Sequence, residues 1–397
     1  MQEDILAGSG GGFSGGGGFS GGGGRGRRPE EHFKVKKGYK SFKNGFIPFF
    51  IFSIQLFCDK IHTGENFMSL RIIYGRTGTG KSQFCFDEIK KRINEEKKIY
   101  VITPEQFSFT SEKKLLNSLG KEAVINAEVI TFNRMANRVM SEVGGLTKTN
   151  LSKSGKAMLI YSILGNKKNE LKFLNKSDEN IDIVGTIIKE FKKHNVTLER
   201  LNNTLENIQD QYLKLKLNDI YILYDMYNKE VQDKYIDEED VLTILCKKLE
   251  KTDMFNDAVI YIDEFAGYTT QEYGIVRKLL RVAKQVNITM CIDSTDLSNN
   301  RETDIFNQNK ETLNKIIDIA KSEKINIEKE VNLTKQLRFK TEELQHLEKN
   351  LYNTKYEKYN KDVSNIEVFL AKNQYSEIEN VAKKIIQLVR DNNYKYS

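Results

Sequence analysis

Residues Gly75–Ser82 read GRTGTGKS, and what flanks this octet decides what it can be. A short apolar run, Leu70–Tyr74, precedes it, and a helical pattern from Lys81 to about Asn94 follows it. A turn fitting G-x-x-x-x-G-K-[ST] between a strand and a helix has the context of a phosphate-binding loop. Gly75, Gly78 and Gly80 allow backbone N–H groups to converge on phosphate oxygens with no Cβ in the way, and Arg76, Thr77 and Thr79 complete the loop. The helix beginning near Lys81 adds the positive end of its dipole. Lys81 is expected to reach the β- and γ-phosphates, and the Ser82 hydroxyl to ligate Mg²⁺. A glycine turn that matches by coincidence is the competing account.

The rest of the pattern fits such a loop. Lys98–Thr103 and Ala127–Thr131 read as strands, with a helix over Phe132–Glu142. Ala258–Ile262 and Asn287–Ile292 resume the series, and Ile366–Leu370 reads as a later strand before an amphipathic helix over Ser376–Arg390. Strands alternating with helices imply an α/β fold with a parallel sheet. Residues 146–255 show helical periodicity and many charges, as in Ile181–Phe191 and Leu217–Val231, and are expected to form a helical insertion. The expected division is a leader over 1–67, a phosphate-loop α/β domain over 68–145 and 256–335, the insertion over 146–255, and a further domain beginning at 336–397.

Composition matters mainly for the leader. Thirteen of the chain's 27 glycines lie in residues 1–26, in a repeated GGGGFS unit that has almost nothing to bury. Such a stretch is expected to be a flexible linker, either a tag, fusion scar or misjoined frame, or a glycine-arginine segment touching RNA through Arg25, Arg27 and Arg28. The apolar run Phe46–Phe57 is 12 residues long, short of the ~20 that span a bilayer. No membrane association is expected. Met68 reads like a natural start. The formal charge of +7 is compatible with nucleic acid without arguing for it. Cys58, Cys85, Cys246 and Cys291 contain no CxxC, so neither a disulfide framework nor a zinc site is suggested, and a reducing cytoplasm is the expected location.

Asp263-Glu264 ends an apolar strand, as a Walker B pair does. Asp263 is expected to hold Mg²⁺ through water and Glu264 to orient the attacking water; an ordinary acidic turn is the alternative. Asp293 is either a sensor of phosphate state or a helix cap. Gln106 is a nucleic-acid contact or a turn residue. Lys113, Lys114, Arg134 and Arg138 are candidate DNA-backbone contacts against a solvated-surface alternative. Arg338 is a nucleotide sensor or a surface arginine.

Several segments carry a family resemblance: MSLRIIYGRTGTGKSQFCFDEI from Met68, VITPEQFSFTSEKKLL at Val101–Leu116 and VITFNRMANRVM at Val129–Met140. IYIDEFAGYTTQEYGIV at Ile260–Val276, LTKQLRFKTEELQHLEKNLY at Leu333–Tyr352 and SEIENVAKKIIQLVRDNNYKY at Ser376–Tyr396 continue it. The ordered set resembles the AddB family, one half of the bacterial AddAB helicase-nuclease. The resemblance implies a superfamily 1 helicase-like sheet domain with a large helical insertion and the start of a second helicase-like domain. It implies an ATP-binding, non-motor subunit that processes DNA double-strand breaks for recombinational repair, acting on DNA ends as a heterodimer with a larger, AddA-like motor helicase-nuclease. It implies ATP and Mg²⁺ here, and a nuclease domain with a 4Fe–4S cluster only in a longer parent. No glutamine-bearing motif is found ahead of Leu70, which agrees with a non-motor role. The alternatives are an autonomous superfamily 1 DNA helicase, and an unrelated P-loop phosphotransferase or ATP-binding module.

Overall fold

A computed structural model describes residues 68–119, 126–145, 148–174, 180–232, 234–296, 303–353 and 355–396. The readings of residues 1–67, Cys58 among them, lie outside the described residues.

Seven strands form one sheet. In chain order they are β1 (Ser69–Tyr74), β2 (Ile99–Ile102), β3 (Ala127–Ile130), β6 (Val259–Ile262), β7 (Gln285–Met290), β8 (Asn326–Ile327) and β9 (Val331–Asn332). The spatial order is β3-β2-β6-β7-β1-β8, with β9 also pairing β1, and the pairings are parallel. Helices cover both faces, so most strands are buried apolar runs; β7, QVNITM, alternates polar and apolar residues and is buried throughout.

The two-residue period of a strand still sorts the side chains into two cores. Leu70, Ile72, Tyr100, Ile102, Ile260, Ile262, Val286 and Ile288 face one way. They meet α3 (Phe132–Val143), α8 (Val241–Lys248), α9 (Thr270–Val282) and α10 (Asn307–Ser322). Ile73, Ile99, Val101, Val259 and Tyr261 face the other way, against α1 (Lys81–Arg92) and α2 (Glu105–Leu119) through Cys85, Phe86, Ile89 and Leu115. Cys85 is accordingly a core residue.

Between β3 and β6 the chain builds a helical body with its own core. It contains α4 (Lys153–Lys167), α5 (Asn180–Lys193), α6 (Leu198–Asn207) and α7 (Gln211–Gln232), packed through Ile160, Ile163, Val184, Ile188, Leu201, Leu223, Tyr227 and Val231. Two short strands, β4 (Thr149–Asn150) and β5 (Tyr235–Ile236), pair in parallel at its neck. Beside them Asp237 is 2% exposed. It accepts from the Tyr227 hydroxyl at 2.7 Å and pairs with Lys192 at 3.1 Å and Lys156 at 3.3 Å. Burial works against its charge, but Lys192, the Tyr227 hydroxyl and Lys156 outweigh that and hold its carboxyl below the usual range. Leu245, Leu249, Met254 and Phe255, at the end of the helical stretch, pack in the sheet's core.

The expected strand over Ile366–Leu370 is absent: the segment is irregular, with Val368 92% and Leu370 95% exposed. A strand needs a partner edge, and none of the described strands meets it. The helix expected after it is present as α12 (Gln374–Asn392), capped by Asn373 and with no residue fully buried. Between β9 and that region lies α11 (Glu342–Asn350).

Candidate functional site

The octet joins β1 to α1 and takes the conformation its glycines permit. Gly78 has φ 80° and Gly80, the N-cap of α1, has φ 81°. Both lie in the left-handed region that side chains other than glycine enter at a cost of about 1–2 kcal/mol. The glycines also make room on the side away from the cleft. A Cβ on Gly75 would fall 2.3 Å from the Leu333 carbonyl oxygen, on Gly78 2.2 Å from Oε1 of Gln336, and on Gly80 2.6 Å from Cδ1 of Leu337. A side chain there would collide with the segment after β9.

The loop opens on a cleft of about 330 Å³, within the range of small-molecule sites. Thr77, Gly78, Gly80, Lys81 and Ser82 form one side, and Asp263, Glu264 and Thr289 the floor; Arg338 and Lys114 also line it. The Lys81 ammonium donates to the carbonyl oxygens of Gly75 at 2.9 Å and Arg76 at 3.0 Å, which holds it over the loop. The first-turn N–H groups of α1 have no intrahelical acceptor and point to the same place.

Asp263 follows β6 and is 2% exposed. Burial raises its carboxyl above the ordinary value; hydrogen bonds from Thr289 and Ser82 pull the other way, and the Glu264 charge adds to the rise. Glu264 is exposed, and its Oε1 accepts from the Ser82 hydroxyl at 3.0 Å. Its φ is 67°, a left-handed value for a residue with a Cβ. Such strain accumulates where the surroundings force a side chain into position. Phe265 and Tyr268 stack behind this turn, with Phe132 and Tyr273 packed against them at a tilt, centroids 5.2–5.4 Å apart.

The donors fit a hard divalent cation. Ser82 and the two carboxylates supply oxygen only, and Mg²⁺ characteristically takes one or two protein carboxylates plus phosphate and water. Among the described residues no cluster of three or more His, Cys, Asp or Glu side chains is gathered for a metal.

The residues singled out by sequence do not all meet here. The Arg76 side chain turns away: its guanidinium pairs with Glu348 of α11 at 3.0 Å and lies over the Phe306 ring at 5.0 Å. Asp293 pairs with Lys310 at 2.9 Å and lines a neighbouring cleft with Arg76. Arg134 is bonded to Glu112 and Arg138 to Glu128, while Gln106 and Lys113 are exposed on α2. Lys114 lines the cleft beside the octet. Sequence reasoning does not find Thr289, Phe265, Gln336 or Glu348. Only Gln336 carries a signal, since it lies two residues before Arg338.

Comparison with known proteins agrees with these segments. A family model described as ADDB, N-terminal matches residues 72–348. The B subunit of the ATP-dependent helicase/deoxyribonuclease of Clostridium tetani is 45% identical over 341 residues, which are 83% of this chain and 30% of that protein. The proteins of the same name from Clostridium botulinum (strain Loch Maree) and Thermoanaerobacter pseudethanolicus are each 41% identical over 338 residues, again 83% of this chain. The chain spans about 30% of the length of these curated relatives. Among the described residues no helix is long and apolar enough to cross a membrane.

Proposed function

The chain belongs to the AddB family, and from that premise we propose that its sheet domain is a P-loop nucleotide-binding domain of the superfamily 1 helicase type, taking ATP with Mg²⁺. The observation that carries this is the convergence of Gly78, Gly80, Lys81, Ser82, Asp263 and Glu264 on one cleft. Loop and α1 amides with Lys81 would hold the phosphates. Ser82 and Asp263 would hold Mg²⁺, which neutralises phosphate charge when bound. Glu264 would orient a water, and Arg338 would approach from the segment that begins the second helicase-like domain at 336–397. Residues 68–145 and 256–335 make the nucleotide-binding domain, and 146–255 its insertion.

In the whole protein this domain serves a non-motor half of a heterodimeric helicase-nuclease. That complex acts on DNA ends during recombinational repair of double-strand breaks, in the cytoplasm, with a larger AddA-like protein as its motor. The name the relatives share, that of one subunit in a helicase/deoxyribonuclease, supports the assembly.

Titration of the chain with a fluorescent ATP analogue and Mg²⁺ tests the reading. One saturable site is expected, weakened about tenfold or more by Lys81→Ala, with slow turnover that DNA does not stimulate. No saturable binding would end the nucleotide assignment. Brisk DNA-stimulated turnover abolished by Lys81→Ala would replace the non-motor role with that of a motor.

A further inference from the structure

The phosphate loop is gripped from outside by residues 333–338. The Tyr74 carbonyl accepts from the Leu333 N–H at 2.8 Å, and the Gly78 carbonyl accepts from the N–H groups of Leu337 at 2.9 Å and Arg338 at 3.1 Å. Gln336 sits at the centre of this strap. Its Nε2 donates to the Thr77 carbonyl at 2.9 Å. Its Oε1 accepts from the backbone N–H groups of Arg338 at 3.1 Å and Phe339 at 3.4 Å. A carbonyl on one side and amide protons on the other fix which end of the side chain is which. One amide therefore holds the crown of the loop and ties the turn from which Arg338 enters the cleft.

We propose that Gln336 is a positioning residue of the nucleotide site: its N–H end sets the phosphate loop and its oxygen aims Arg338. This rests on the nucleotide reading above. The two ends make separable contributions. Losing the grip on Thr77 weakens any phosphate ligand, whereas misdirecting Arg338 affects chiefly a ligand with a terminal phosphate within its reach. No serine, alanine or leucine at position 336 could make both contacts, and glutamate could make only the second.

The test uses the full chain, fluorescent ATP and ADP analogues with Mg²⁺, and Gln336→Ala, Gln336→Glu, Arg338→Ala and the double alanine variant. Amide hydrogen exchange over Gly75–Ser82 is measured without nucleotide, and thermal unfolding checks that each variant folds. Arg338→Ala is expected to cut the preference for ATP over ADP about tenfold, and Gln336→Ala to cut it by a similar factor. The double variant should lose no more preference than Arg338→Ala alone, as coupled residues do. Gln336→Glu keeps the acceptor, so it should retain most of the preference while binding both nucleotides more weakly. Gln336→Ala and Gln336→Glu should both speed exchange in the loop, since both lose the bond to Thr77, and Arg338→Ala should not. Unchanged exchange with an unchanged ATP-to-ADP preference in Gln336→Ala overturns the proposal. If the wild-type chain binds neither nucleotide, the nucleotide reading and the positioning role fall together; faster exchange in Gln336→Ala would then mark the strap as purely structural.

Discussion

The Thr289 hydroxyl donates to Oδ1 of Asp263 at 2.5 Å, joining the ends of two neighbouring strands beside the Gly75–Ser82 loop. It is a protein hydrogen bond to a carboxylate that burial otherwise drives toward its neutral form. The site holds in place a charge that the fold disfavours.

Asp263→Asn is therefore expected to stabilise the chain at neutral pH while abolishing Mg²⁺-dependent nucleotide binding. The sign follows from the raised carboxyl. A group whose folded pKa lies above its unfolded one favours folding at low pH and loses that contribution as pH rises through the folded value. The advantage of asparagine should vanish below the ordinary aspartate range and be complete above the raised one. Urea unfolding from pH 3 to 8 measures it.

Glu264 gives a second contrast between stability and chemistry. Glu264→Gly and Glu264→Ala both remove the carboxylate and its bond to Ser82, but only glycine fits φ 67° without strain. Glycine should be more stable than alanine there by about 1 kcal/mol, and both should lose nucleotide turnover. Paired urea denaturations and a phosphate-release assay separate the two effects.

Tyr268 carries a buried hydroxyl with no hydrogen-bond partner among the described residues. Tyr268→Phe keeps the ring contacts with Phe265 and Tyr273 and removes a desolvated polar group. The expected change is neutral to about 1 kcal/mol of stabilisation, read as an unchanged or higher melting temperature. A clear loss would mean that the hydroxyl is satisfied in solution.

Asp237 should behave in the opposite way. Asp237→Ala leaves Lys192, whose side chain is 4% exposed, with Asp240 as its remaining carboxylate, and takes Asp237 away from Lys156 and the Tyr227 hydroxyl. Losing these buried hydrogen-bond partners costs about 1–3 kcal/mol. Because its carboxyl is held below the usual range, its contribution is present above the ordinary aspartate pKa and is lost as pH falls through the lowered value. Calorimetry of wild type and variant should converge in acid and diverge toward neutrality.

What could be read from the sequence was local. The octet, the strand before it, the helix after it and the Asp263-Glu264 pair each declare themselves within a few residues, and the structure brings them to one cleft. Gln336 and Thr77 are 259 positions apart, and Thr289 meets Asp263 across 26. No periodicity encodes such meetings. Helical spacing identifies α4 to α8 as helices, but the same spacing serves either core, and Leu245 joins the sheet while Leu223 joins the insertion. Ile366–Leu370 has the side chains of a strand; what it lacks is an edge to pair with, which its own residues cannot supply.

The neck formed by β4 and β5 bears on how this sheet assembles. Ile99 of β2 must find Val259 of β6, 160 positions later in the chain. Contacts so remote are slow to form, because a long loop must close before any pairing is gained. Thr149 and Tyr235 lie opposite each other at the neck, about 5 Å apart as neighbouring strands are. Once α4 to α7 pack on their own core, most of that loop is already closed. The insertion then acts as a folding splint, and pulse-labelled exchange should find its amides protected before those of β2 and β6. Variants that loosen Ile188 or Leu223 should then slow formation of a sheet they never touch.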